Sequence, residues 1–269
     1  MNYIVASLFI IAGAAVFMQG FRTMRKYRLI RDIPRSKIRS MAMGLVEIHG
    51  NVKAEQMIKT PFSNSDCVYF KYEIKEYKQR TSRDSKGRTR TTHEWVMIAS
   101  GDRRIPFFAE DDTGSVYVDP DGAEFTVDVR KAFYQKEGMF EGISNLIDTL
   151  RNIGNFDRLP DNISELNLSP IEPGRKFTFG SRVGDRKYYE YFMTDKDNLF
   201  IMGTAANSPD APDKVLIKKG ENEPTYMISD KSENEMLRSL RGKMILTFAL
   251  GGGTFIAGVL VTLHFAGVI

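Results

Sequence analysis

Two long, nearly unbroken apolar runs bracket the chain. The first covers Asn2 to Phe21 and the second Met244 to Ile269, where only His264 is an ordinary titratable group. A helix needs roughly 20 apolar residues to cross the hydrocarbon core, so residues 2–21 and 244–269 each predict a transmembrane helix. Between them the hydrophobic positions fall into a shorter rhythm. Met43 to Val52 predicts a first strand or strand pair, with Gly50 marking a bulge or turn. From Cys67 to Lys78 the apolar Val68, Phe70, Tyr72 and Ile74 alternate with Lys71, Glu73 and Lys75, which predicts a half-buried strand. Further strands are expected at Thr92–Ile98, Val116–Val118, Phe125–Val129, Lys176–Phe179, Arg186–Thr194, Leu199–Ala205, Lys214–Lys219 and Thr225–Ser229.

One stretch departs from period two. Phe133, Met139, Phe140, Ile143, Leu146, Ile147, Leu150 and Ile153 recur at three- and four-residue steps, which predicts a helical insertion over about 131–154. Its apolar face would pack on the sheet or lie in the membrane interface. The segment 155–175 reads as an irregular connection. Ser229 or Ser232 is the expected N-cap of a last helix that runs through Leu237 and Leu240 into the second span, Glu235 standing three residues after Ser232. The architecture is therefore a membrane-anchored α+β chain: a β-rich barrel or sandwich-like domain over 41–240, with a helical insertion, flanked by two transmembrane helices.

Charge adds the topology. Arg22, Arg25, Lys26, Arg28, Arg31, Arg35, Lys37 and Arg39 crowd the juxtamembrane segment 22–40 against Asp32 alone, whereas the whole chain carries a net charge of +4. The basicity is local, so it predicts a membrane-adjacent cluster rather than a nucleic-acid surface. Arg238, Arg241 and Lys243 precede the second span. Positive residues beside spans stay on the cytoplasmic side, and both flanks then place the central domain there in a two-span integral membrane protein. The competing reading of residues 2–21, a signal peptide cleaved near Ala12–Ala15, lacks the basic residues that should precede its apolar core. The cluster, with Arg22, Arg25, Lys26, Arg28 and Arg31 nearest the span, either attracts anionic lipid or serves as a topology determinant only. Ala249, Gly253 and Ala257 form a small-residue ridge in the second span, and Ala6, Gly13 and Ala14 offer the same in the first. That favours pairing of the two spans, with homo-oligomerisation the competitor.

Lys78 to Arg90 supplies the candidate docking site. Arg80, Arg83, Lys86, Arg88 and Arg90, with a turn at Asp84–Gly87, predict a long basic hairpin. It would dock a protein partner or lipid, or else be a solvated hairpin tip; no aromatic residues interleave the charges as nucleic-acid stacking would need. Enzymatic constellations are missing from the sequence. His49, His93 and His264 are scattered, and no Gly-flanked serine elbow or phosphate loop accompanies them. The single Cys67 excludes an internal disulfide and a cysteine-based zinc site. Two acidic turns, at Glu110–Gly114 and Asp119–Gly122, lack the loop of a calcium site. No catalytic residue, cofactor or metal is expected.

Several stretches resemble the GIDE-type proteins, the family of the mitochondrial ubiquitin ligase activator of NF-κB, whose middle region is the beside-a-membrane domain. They are Thr60-Pro61 followed by Cys67–Phe70; Pro106–Phe108 with Asp111–Gly114 and Val116–Ala123; Tyr189-Glu190 with Leu199–Ala205; and Ile228–Glu233 ahead of the second span. The resemblance implies a membrane-tethered β-rich domain associated with ubiquitin ligation. Animal members continue past the second span into a zinc-binding RING, which has no counterpart up to Ile269, so no ligase residue carries over. The expectation is a non-catalytic scaffold module with an unidentified protein partner. The alternatives are a component of a ubiquitin-ligase system that borrows a RING in trans, and a lipid-binding membrane organiser.

Overall fold

A computed structural model describes residues 2–83, 87–136, 168–173, 181–208 and 215–266. Helix α1 (Asn2–Asp32) leads through β1 (Arg35–Ser36) into β2 (Gly44–Lys53) and the small pair β3 (Ile58–Lys59) and β4 (Asp66–Cys67). Strands β5 (Tyr69–Arg83), β6 (Thr89–Arg104), β7 (Phe107–Glu110), β8 (Ser115–Val118), β9 (Glu124–Thr126) and β10 (Val129–Gln135) follow. After β11 (Ser169–Ile171) come β12 (Arg186–Met193), β13 (Asn198–Asn207), β14 (Val215–Lys218) and β15 (Met227–Ser229), and α2 (Glu233–Phe265) closes the chain.

Strands β2, β7, β8, β14 and β13 form a five-stranded barrel, because β13 pairs with β2 as well as with β14. The eight antiparallel β2–β13 pairs run from Asn198↔Asn51 to Ala205↔Gly44. Alternation along β2 turns Val46, Ile48 and Val52 into the barrel, where they meet Phe107, Val118, Leu199, Ile201, Ile217 and Ile228. The opposite side of β2 carries Leu45, Glu47 and His49 toward the helices. Gly50 makes neither bulge nor turn: β2 runs through it, and an added Cβ would stand 3.1 Å from the Glu110 carbonyl oxygen of β7.

A second sheet, in the order β11-β10-β12-β5-β6, packs Phe70, Tyr72, Ile74, Phe133, Tyr188 and Phe192 into its own core. Here the expected helical insertion is corrected at its start. Phe133 lies in β10, pairs with Tyr188 and is buried, since β-ladders to β11 and β12 on both sides claim this segment. Residues 137–154 of that insertion, and the strand expected at Lys176–Phe179, lie outside the described residues. Ser169–Ile171, read as irregular, forms an edge strand, a position that tolerates Pro170.

Both helices are long and apolar enough to cross a membrane, and they pack on each other antiparallel. The contact is made by glycines. A Cβ on Gly13 would come within 2.5 Å of the Phe255 backbone nitrogen, and one on Gly251 within 2.5 Å of that of Phe17. Gly258 faces Ile10, and Gly20 faces Phe248, whose ring meets Phe17 and Phe21 edge-on at 5.1 and 5.2 Å. Of the expected ridge, Gly13 is in the seam, but Gly253 is exposed with nothing within 4 Å. The second helix instead uses Gly251 and Gly258, seven residues apart, the repeat that keeps one stripe on a partner helix. Ser232 caps α2 in a reciprocal box with Glu235, as the spacing predicts.

The helices are rooted in the domain. Ile30 of α1 and Met236 of α2 are buried with Phe200, Met202 and Met227 on the outer face of the barrel. Helix α1 also continues through the basic segment to Asp32, well past Phe21.

Candidate functional site

The basic hairpin is one continuous ladder. Strands β5 and β6 pair from Tyr69↔Arg104 to Arg83↔Thr89, with one register shift beside Ile74. Its inner half is half-buried in the second sheet. From Lys78 and Glu94 outward every described residue is exposed. At about 3.3 Å per residue the six-residue arms Lys78–Arg83 and Thr89–Glu94 project about 20 Å. Thr81, Thr89, Thr91 and Thr92 supply strand propensity that needs no core, and the Thr92 hydroxyl donates to the Arg80 carbonyl at 3.3 Å.

Pairing register assigns the charges to faces. Lys78, Arg80 and Arg90 share one face with Glu94, to which Arg80 is bridged at 3.3 Å. Arg83 lies on the other face beside Thr81, Thr89 and Thr91. Arg88 is exposed at the turn, and Lys86 lies outside the described residues. At the base of the arm the Tyr77 ring packs on His93 and Trp95 at 5.8 and 5.1 Å, and the buried Lys187 ammonium stands 4.2 Å over Trp95. Burial, with Lys75 nearby, lowers the Lys187 pKa. Among the described residues no strand pairs with the outer edge of β6.

The juxtamembrane cluster has a different setting. Arg25 pairs with Glu223 at 3.1 Å and Lys26 with Glu124, so two of the five candidate lipid contacts clamp α1 to the barrel. Arg31 pairs with its neighbour Asp32 at 2.7 Å, and Arg22 donates to Gln19 at 3.4 Å. Arg28 is exposed. Sequence reading missed the acids because Glu124 and Glu223 lie about 100 and 200 residues away along the chain.

Two of the stretches that carry the family resemblance, Asp111–Gly114 and the one after Thr60-Pro61, are held by hydrogen bonds to carboxylates. Desolvation pushes Asp111 up, but hydrogen bonds from the Thr113 hydroxyl and the N–H groups of Ile38, Thr113 and Gly114 outweigh it and hold the carboxyl at about 2. Lys37 pairs with Asp112 of the same turn. The buried Glu190 accepts the N–H groups of Phe62 and Ser63 at 2.6 and 3.2 Å, pinning the loop after Thr60. Burial raises the Cys67 thiol to about 12, and its Sγ donates to the Ile58 carbonyl.

Against known proteins, the family model GIDE, described as E3 ubiquitin ligase, matches residues 76–262, well over half of the chain. The chain belongs to the GIDE family. Neither the curated proteins nor the solved structures contain a match. In this GIDE protein the matched region opens at Glu76, at the root of the arm, and ends at Thr262 near the end of α2. The arm, most of the barrel and most of the second helix thus belong to the family pattern, and an association with E3 ligase systems comes with it.

Proposed function

We propose that this GIDE-family protein is a non-catalytic docking module held at a membrane. Its two helices cross the bilayer, the barrel sits at the cytoplasmic face, and the arm engages an acidic protein segment, while ubiquitin-transfer chemistry comes from other components. The observation that carries this reading is the arm itself: a two-stranded basic projection whose described residues are exposed on both faces, with an outer edge that no strand among the described residues pairs with. Exposed edges invite pairing with another chain, and the charges select for an acidic one. A catalytic role finds no support in Cys67, since a buried thiol with a raised pKa supplies little thiolate for a thioester. The membrane-organiser reading is weakened because Arg25 and Lys26 are engaged by Glu223 and Glu124.

The test is photo-crosslinking in native membranes from a benzophenone residue at Thr91, exposed and uncharged on the arm. A discrete protein adduct is expected, identified by mass spectrometry. Combined Arg83→Gln, Arg88→Gln and Arg90→Gln substitution should weaken that association by about 3-fold to 100-fold, from three exposed pairs at about 0.2–1 kcal/mol each. Raised salt should do the same. Adducts to lipid alone, or a protein adduct indifferent to the three substitutions, contradict the docking role.

A further inference from the structure

Glu47 and His49 stand two residues apart on β2, so both side chains leave the same face of the strand, the one beneath the helices. Glu233, the first residue of α2 after its cap, brings its carboxylate close to both. One ligand atom from each of the three lies within 4.8 Å of the others. The Glu47 side chain is 1% exposed; its Oε1 lies 3.2 Å from His49 Nε2, while its Oε2 is buried without a hydrogen-bond partner. A buried carboxylate oxygen left without a partner is costly. A buried carboxylate with one oxygen left unpaired, grouped with a second carboxylate and an imidazole, is an arrangement a cation resolves.

We propose that Glu47, His49 and Glu233 bind one divalent transition-metal ion of the zinc class. Imidazole nitrogen with carboxylate oxygen suits zinc, cobalt or manganese, whereas calcium and magnesium prefer all-oxygen shells. Two carboxylates neutralise the dication, which removes the penalty of burying it. Three protein ligands leave a fourth position for water. Because two ligands belong to the barrel and one to α2, the ion clips the second helix to the domain and couples metal occupancy to the mounting of the barrel. This site is independent of the arm. The competing explanation is purely structural: Glu233 complements the positive end of α2 and the His49 imidazole hydrogen-bonds Glu47.

The deciding experiment titrates the full chain, purified in detergent and stripped with a chelator, with Zn2+ by calorimetry and with Co2+ by visible absorption. One equivalent should bind and raise the thermal midpoint. Loss of a mere outer partner already costs 10–100-fold in metal affinity, so Glu233→Gln, at a half-buried position, should weaken binding by roughly 100-fold. His49→Gln should do the same, and His93→Gln on the arm should have no effect. Failure to bind either ion, or one-to-one binding that survives both Glu233→Gln and His49→Gln, overturns the assignment. Binding lost in His93→Gln overturns it as well.

Discussion

Replacing Gly13 or Gly251 by leucine drives the two helices apart. In each case the first added carbon would lie 2.5 Å from backbone nitrogen of the facing helix, and backbone, unlike the end of a flexible side chain, moves only with its whole helix. Between helices in lipid there is no hydrophobic drive to replace the lost contact, because close packing is itself the main attraction. Overpacking of this kind costs about 1–3 kcal/mol, to which the loss of the Phe17, Phe21 and Phe248 cluster adds when the seam opens. Gly253→Leu is the control: it lies on the same helix, but nothing approaches its Cβ, so its effect should stay within about 0.5 kcal/mol. Thermal unfolding in detergent, followed by the helical circular dichroism signal, separates the cases. Equal losses for Gly251→Leu and Gly253→Leu would mean that the seam is not where the glycines place it.

Ile30→Ala loosens the domain from its mount. Ile30 is 1% exposed, and it belongs to α1 while Phe200, Met202 and Met227 around it belong to the barrel. Truncating a buried isoleucine costs about 2–5 kcal/mol, and here the lost packing lies between helix and barrel rather than inside either. The barrel core built on Ile48, Ile201 and Ile228 is untouched. The expected signature is therefore faster trypsin cleavage at Arg35, Lys37 or Arg39, in the link from α1 to β2, with cleavage inside the barrel unchanged. Arg28→Ala, on the exposed side of the same helix, should leave the link protected. If cleavage of the barrel rises in step with the link in Ile30→Ala, the domain is not a separately stable body.

Much of this was legible because it is local. Apolar length marks both helices, alternation marks β5, and the Ser232–Glu235 spacing marks the start of α2. Barrel closure was not legible. It rests on β2 meeting β13 about 150 residues later, and no local pattern encodes that pairing. Phe133 was misread for a related reason: three- and four-residue steps from Phe133 onward look helical, but the ladder to β12 decides its conformation. The helix seam was half legible. Several small residues were available in the second span, and only packing selects Gly251 and Gly258 over Ala249, Gly253 and Ala257. The arm was located from charge alone, yet its exposure on both faces and its open edge follow from the sheet order. A polar Glu47 in the otherwise apolar run Leu45–Ile48 was the one available signal for the site at the helix root, and Glu233 gave none until the fold brought it there.

The central claim is that the barrel and its arm stand on the cytoplasmic side of a membrane crossed by both helices. It is tested most directly by placing the only reactive thiol at the arm, as Thr89→Cys, since the buried Cys67 with its raised pKa is silent toward maleimides at neutral pH. A membrane-impermeant maleimide is applied to intact sealed vesicles of each orientation, and a separate sample of the same membranes is washed with alkaline carbonate. Retention in the washed membrane, with labelling only where the cytoplasmic face is outward, is the predicted result. Labelling from the opposite face, or release of the chain by carbonate, contradicts it.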